Sequence, residues 1–429
     1  MQPEDSALVS ESAHRPRVLW VARYLPYPPD AGAKVYSAKL AGALTRAGCD
    51  VTFMGFGEPQ AARDADDSIE WVAVPGTRRS PFVAIPNRLP IAAAVDATKH
   101  YVRLLERQCA LEWDAIVFDG YGTGWALRRC LAYRRAHPGC VIVHVSHNVE
   151  ADLWRRMARD ASASFVKRFV LKLNAGKIAR LEHALLAHAD VVTAITEADR
   201  RRFSRERRDA DLITLTPGFS GWIAPPRLIT SVTPKRAVIV GSFRWVIKQD
   251  NLRRFLTAAD AVFAKHGIAL DIVGDVPAEL KTAVEPRCHA TRFHGFVADI
   301  APLLADARIA IVPERIGGGF KLKFLDYVFA RLPVATLAHA CEGMPPAVTR
   351  HMIVREDMDS LVAAIVQYID AFDALNAMQA GAFDAAHALF RWDDRGRSLL
   401  AAVQARRARQ ANISQPLAAS AAALRASTP

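Results

Sequence analysis

Short runs that are apolar at nearly every position alternate with longer stretches whose apolar residues recur every three to four positions. The first pattern predicts parallel strands covered on both faces, and the second predicts the helices that cover them. Strands are expected at 17–22 (RVLWVA), 51–55, 69–74, 114–118, 141–146, 191–195 and 213–216, with a first helix over 34–47. A second series follows, with strands at 237–241, 269–274, 291–293, 309–312, 334–336 and 352–354. Its helices are expected over 251–265, 320–330 and 360–372, and a last long helix starts near 393. Between the two series, Pro217-Gly218 and WIAPPRLITSVTP concentrate proline and turn residues, the signature of a connector.

The pattern therefore reads as α/β, two Rossmann-like doubly wound domains facing each other across a cleft. The expected boundaries are a disordered segment 1–15, a first domain 16–217, a linker 218–235 and a second domain 236–391. A helix 392–409 returns to the first domain, and an Ala- and Ser-rich tail 410–429 is expected to be disordered. Ligands of such sheets sit beyond the carboxyl ends of the strands, so the cleft is the place to look for chemistry.

Of the 429 residues, 51% are hydrophobic and 23% charged, which excludes a wholly disordered chain. The N-terminus is polar, without the apolar core of a secretion signal, and no apolar run reaches bilayer length. Cys49, Cys109, Cys130, Cys140, Cys288 and Cys341 lie scattered, so no zinc site is expected, and reduced thiols in a cytoplasm fit the spacing. Lys and Arg outnumber Asp and Glu by 56 to 44, a net charge of +12. That surplus is compatible with nucleic acid, an anionic membrane or phosphate-bearing ligands.

The segment 313–327 (PERIGGGFKLKFLDY) carries the most chemistry. A strand ends, glycines follow, and a helix begins, so backbone N–H groups can approach an anion. Lys321 and Lys323 add positive charge, and Asp326 could accept hydrogen bonds from ribose hydroxyls. Arg244 and Lys248 follow the first strand of the same domain and aim at the same mouth, where cations could neutralise a diphosphate. In the first domain, Gly32 opens the first helix, and His147 ends the strand 141–146 at the cleft edge. Solvated lysines on a plain turn and a structural histidine are the competing readings of these features. No GxGxxG, GxxxxGK[ST] or GxSxG motif is present, which disfavours a dehydrogenase, a P-loop enzyme and a serine hydrolase.

With those residues in place, the chain resembles a GT-B glycosyltransferase, closest in motif to the retaining family 4 in its GGG-loop variant. The stretches PPDAGAKVYSAKLAGALTRAGCDVT, HVSHNVEADL, RAVIVGSFRWVIKQDN, ALDIVGD and RFHGFVADIAPLLADARIAIVPERIGGGFKLKFLDYVFARLPVAT carry the likeness over nearly the whole chain. The resemblance implies a nucleotide diphosphate sugar as donor substrate, no separate cofactor and no metal. It implies that backbone at Phe296 and Val297 meets the base, that Asp326 binds the ribose, and that N–H groups of Gly319, Phe320, Lys321 and Leu322 hold the diphosphate. Lys248, with Arg244 or Lys323, would stabilise the leaving phosphate, and His147 would touch the transferred sugar. The family's usual first Glu falls on Gly318, and Ser242 lies near the place of its usual Arg.

The function expected is sugar transfer to an acceptor hydroxyl, in cell-surface polysaccharide or glycolipid synthesis, with retention by resemblance. An inverting reaction would need a general base, for which Asp30, Asp119 and Glu150 are placed. A nucleotide-sugar epimerase or hydrolase, or a non-catalytic scaffold, are the alternatives of the same fold. The segment 154–180 gathers Arg155, Arg156, Arg159, Lys167, Arg168, Lys172, Lys177 and Arg180 among apolar residues. Such a stretch suits an anionic membrane surface presenting a sugar or lipid-linked acceptor, or else a solvated helix packed on its own domain. Nucleic acid is the least favoured partner, because none of its binding motifs is visible.

Overall fold

The computed structural model describes residues 15–29, 31–84, 86–160, 165–207, 210–315 and 320–426, without the side chains of 160, 165–167, 246 and 413 onward. Seven strands form the first sheet: β1 (Arg17–Tyr24), β2 (Asp50–Phe56), β3 (Glu70–Ala73), β4 (Ala115–Asp119), β5 (Val141–Val145), β6 (Val191–Ala194) and β7 (Asp211–Thr214). Their order is β3-β2-β1-β4-β5-β6-β7, and every recorded pairing is parallel. The second sheet holds β8 (Arg236–Val240), β9 (Ala269–Val273), β10 (Thr291–Gly295), β11 (Ile309–Val312), β12 (Val334–Leu337) and β13 (Ile353–Arg355). Its order is β10-β9-β8-β11-β12-β13, again parallel.

Strand direction follows from burial. All residues of β4, β5 and β11 are buried, which requires helices on both faces and hence crossover connections. In each sheet the chain starts in the middle, builds outward one way, then returns to the middle and builds the other way. That reversal leaves a crevice between β1 and β4, and another between β8 and β11. These are the topological switch points at which α/β sheets bind ligands.

Six helices matter for the sites: α1 (Gly32–Arg46), α2 (Glu150–Asp160), α3 (Phe165–His188), α4 (Val246–Lys265), α5 (Lys323–Phe329) and α6 (Trp392–Ala426). Helix α5 begins later than expected, because Phe320 turns aside to pack near Phe390 with ring centroids 5.7 Å apart. The basic stretch 154–180 draws on α2 and α3, and residues 161–164 lie outside the described residues.

The expected linker is a strap bound to the second domain rather than a free tether. Phe219 stacks on Phe329 at 4.1 Å, Arg227 donates to the carbonyls of Leu304, Ala305 and Ala307, and Ile229 is buried. Its prolines deny it a ladder, and Ala224 and Ile229 are buried while Trp222, Ile223, Leu228 and Val232 stay exposed.

Helix α6 returns to the first domain. Trp392, Leu399 and Val403 complete the core under α1, with Leu40 and Leu44 among their companions. Gly396 permits the approach, since a Cβ there would sit 2.1 Å from the carbonyl oxygen of Ala43. Arg406, Arg407 and Arg409 then pair with Asp190, Asp114 and Asp211 at the starts of the strands. Residues 410–426, expected to be disordered, continue this helix to Ala426, in keeping with alanine's high helix propensity. The N-terminal segment 1–14 and residues 427–429 lie outside the described residues.

Candidate functional site

The second-domain mouth is built at the β8/β11 switch point. After β8 the chain runs through Gly241–Trp245 into α4, placing Lys248 in that helix's first turn, half-buried. After β11 comes Glu314, only 8% exposed, whose Oε1 accepts from Lys323 Nζ at 2.6 Å. A Cβ on Gly241 would stand 3.5 Å from the same Lys323 nitrogen, so the amine is seated beneath the first loop. Burial works against the charge of Glu314, yet Lys323, Lys321 and Lys248 together hold its carboxyl below the usual range. Burial and then Lys323 lower Lys248, and burial lowers Lys321. Three lysines thus share one buried carboxylate, a cluster short of negative charge and suited to an anion.

Asp326 lies in α5 on the side of this mouth, open to solvent yet closely surrounded. Burial pushes its carboxyl up to about 6, with Lys323 opposing. Phe296 follows Gly295 at the end of β10 and is 85% exposed, while Val297 packs toward the core beneath α5. Arg244 is not brought onto the lysines. Its guanidinium is exposed and pairs with Asp275 after β9, a carboxylate that claims it locally. Gly318 and Gly319 lie outside the described residues.

The first-domain mouth is a cavity of about 270 Å³ at the β1/β4 switch point, lined by Arg23, Lys34, Asp119, Tyr121, His147 and Glu150 among others. His147 Nε2 is 2.6 Å from Asp119 Oδ1, and Trp20 Nε1 donates to Asp119 Oδ2 at 2.9 Å. Burial opposes protonation of His147, but Asp119 outweighs it and the imidazole is raised above its usual value. Glu150 accepts from Asn148 and Trp154, and burial raises its carboxyl. Behind it, Glu182 accepts from the backbone N–H groups of Glu150 and Ala151, fixing the start of α2, and burial raises it to about 7. Arg23 pairs with the fully buried Asp96. Asp30 lies outside the described residues.

The two mouths meet. Gly32 faces the second domain, where a Cβ would contact Leu322 at 3.6 Å, and Gly343 of the second domain lies against Thr196 of the first. The structure brings Lys248, Lys321, Lys323 and Asp326 to one mouth and His147 to the other, and leaves Arg244 apart. Sequence reasoning missed Glu314 and the Asp119–His147 pairing. Glu314 stands two residues beyond a strand's carboxyl end, the same positional signal that singled out His147.

Two doubly wound sheets whose switch-point sites face each other define the GT-B class of glycosyltransferases. Residues 31–218 match the model of the glycosyl transferase 4-like domain and residues 234–371 that of glycosyl transferases group 1, and the chain belongs to this glycosyltransferase family. Among solved structures, HepE of Anabaena, in complex with UDP and glucose, aligns at TM-score 0.61 with 13% identity over 91% of this chain and 100% of its own. A TarM variant of S. aureus, in complex with fondaparinux, alpha-GlcNAc-glycerol and UDP, aligns at 0.61 with 11% identity over 90% and 99%. WaaG, a glycosyltransferase involved in lipopolysaccharide biosynthesis, aligns at 0.57 with 14% identity over 89% and 99%. No curated protein matches the chain in sequence.

Proposed function

We propose that the protein transfers a sugar from a nucleotide diphosphate sugar to the hydroxyl of a sugar or lipid-linked acceptor, at the cytoplasmic face of a membrane, in building a surface polysaccharide or glycolipid. The observation that carries this reading is the lysine cluster of one switch point facing, at the other, a cavity of about 270 Å³ into which Asp119, His147 and Glu150 are gathered. Lys248, Lys321 and Lys323 bind the diphosphate, so the chain's own cations rather than a metal neutralise the leaving group. Asp326 holds the ribose, and backbone at Phe296 and Val297 meets the base. The bond from the anomeric carbon to the diphosphate oxygen breaks, the acceptor oxygen bonds to that carbon, and the acceptor's proton passes to the leaving phosphate. This assignment gives retention, following the resemblance to the retaining family.

The test is release of nucleotide diphosphate from a panel of nucleotide sugars, begun with UDP-glucose, in the presence of EDTA. Release that depends on added acceptor is expected. Donor consumption without acceptor would instead mark an epimerase or hydrolase.

Membrane contact is supported by side chains that the fold leaves outward. On α3, Ala175, Ile178, Leu185 and Leu186 pack inward, whereas Phe169, Val170 and Leu173 are exposed beside Arg168 and Lys172. Lys177 Nζ donates to Ala84 O at 2.8 Å, bringing the exposed Phe82 to the same region. An apolar tip ringed by cations suits an anionic bilayer surface. Co-sedimentation with anionic vesicles is expected to exceed that with neutral ones, and a Phe169→Ser, Leu173→Ser variant is expected to lose the difference. Equal binding to both vesicle types would remove the membrane reading.

A further inference from the structure

The pairing at the first-domain mouth fixes more than the position of His147. Asp119 ends β4, is buried, and spends its two oxygens on two different donors, Trp20 Nε1 and His147 Nε2. The ring is held on its other sides as well. Tyr36 meets it edge-on at 5.5 Å, and its own hydroxyl donates to Leu215 O. Gly120, at φ +75°, lies so close beneath that a Cβ would stand 3.3 Å from His147 Cδ2. A carboxylate can only accept, so in the neutral ring the proton belongs on Nε2 and the lone pair on Nδ1. Nδ1 is buried and has no hydrogen-bond partner among the described residues, while the ring lines the cavity.

We infer that Asp119 is a positioning residue, which locks His147 in the Nε2–H tautomer so that Nδ1 accepts a hydrogen bond from a hydroxyl of the sugar bound in the cleft. The substrate group recognised there is a donor hydroxyl, and a carbonyl or phosphate oxygen at the same place is rejected. This rests on the sugar-transfer reading only for the identity of the ligand, since the tautomer is a property of the free protein. A buried nitrogen without a partner is costly, and the ligand's hydroxyl relieves that cost on binding.

The variant Asp119→Asn is sharply diagnostic because of Trp20. The indole N–H can only donate, so it keeps the amide oxygen, and the amide NH₂ is turned toward His147 Nε2. That nitrogen must then accept, and the ring proton moves to Nδ1 with the packing unchanged. The experiment is nitrogen-15 NMR of the side-chain imidazoles in the full chain, first without ligand and then with UDP-glucose, together with turnover of the variant. In the wild type Nε2 is expected to carry the proton, and UDP-glucose is expected to shift the Nδ1 resonance. In Asp119→Asn the proton is expected on Nδ1, with turnover lowered by about 10²-fold and donor KM little changed.

The pH profile supplies a reading that a purely structural role would not move. The groups facing His147 are Asp119 from β4, His144 from β5, Glu150 from α2 and Tyr36 from α1. Because Asp119 raises the imidazole, wild-type turnover is lost as pH falls through that raised value, and this acid limb is expected to vanish in Asp119→Asn, whose Nδ1 carries a proton in the neutral and the charged ring alike. A wild-type ring protonated on Nδ1, or a tautomer reversal with turnover intact, overturns the inference. So does an Nδ1 resonance unmoved by bound UDP-glucose. Failure of every nucleotide sugar to bind, with the Nε2–H tautomer confirmed, would instead count against the sugar-transfer reading.

Discussion

Replacing Lys248 by alanine is expected to lower nucleotide diphosphate release by about 10²–10³-fold, the usual cost of removing one group that stabilises charge in a transition state. The residue is well placed for such a test. It lies in the first turn of α4, half-buried, with its charge disfavoured by burial and by Lys323 and favoured by Glu314. A lysine in that condition gains more from an arriving diphosphate than a solvated one does, because the anion repairs an existing electrostatic deficit. Donor binding should therefore take up a proton as pH rises through the lowered lysine value, and affinity should weaken over the same range. Steady-state release and calorimetric donor binding in buffers of different ionisation enthalpy read both effects. Lys248 is a cleaner probe than Lys323, whose loss would strand the buried carboxylate of Glu314. Wild-type release by Lys248→Ala would remove the lysine cluster from the donor site.

The second large effect is expected at Gly274, where valine should destabilise the protein by about 3 kcal/mol or more and abolish donor binding. The residue adopts φ +122°, which L side chains rarely reach, and a Cβ would fall 1.9 Å from the carbonyl oxygen of Gly241. Its own N–H donates to Gly295 O, so three adjacent strand ends are tied together at this point. Pushing them apart would splay the loops that carry Lys248 on one side and Phe296 on the other. A matched control separates strain from clash. Gly267 has φ +65° with nothing within 4 Å of its Cβ position, and Gly267→Ala should cost only about 1 kcal/mol. Chemical denaturation midpoints of the two variants measure the difference, and equal midpoints would contradict the clash.

The strands and the two-domain plan were legible in the sequence because parallel strands buried on both faces leave uninterrupted apolar runs. IAIV at 309–312 falls on the strand as expected, residue for residue. What escaped were features set by distance in the chain rather than by local pattern. Nothing near Asp119 announces that it will meet a histidine 28 positions on, since the strand order β1-β4-β5 creates the pairing. Arg244 shows the converse: it occupies a strand-end loop as expected, but Asp275, two residues beyond the end of β9, pairs with it. Arg406, Arg407 and Arg409 likewise find their partners far off in the chain, on Asp190, Asp114 and Asp211 of the first domain.

The return of α6 has a consequence for how the protein is made. The first domain's hydrophobic layer under α1 includes Trp392, Leu399 and Val403, residues synthesised after the whole of the second domain. Until that helix has been made, the first seven strands therefore stand with one flank uncovered, and Asp114, Asp190 and Asp211 lack the arginines of α6. The first domain, earliest off the ribosome, is finished only after the second domain has been made. A nascent chain that stops short of Trp392 would expose that flank, so quality control by chaperones and proteases has a built-in mark of incompleteness to read.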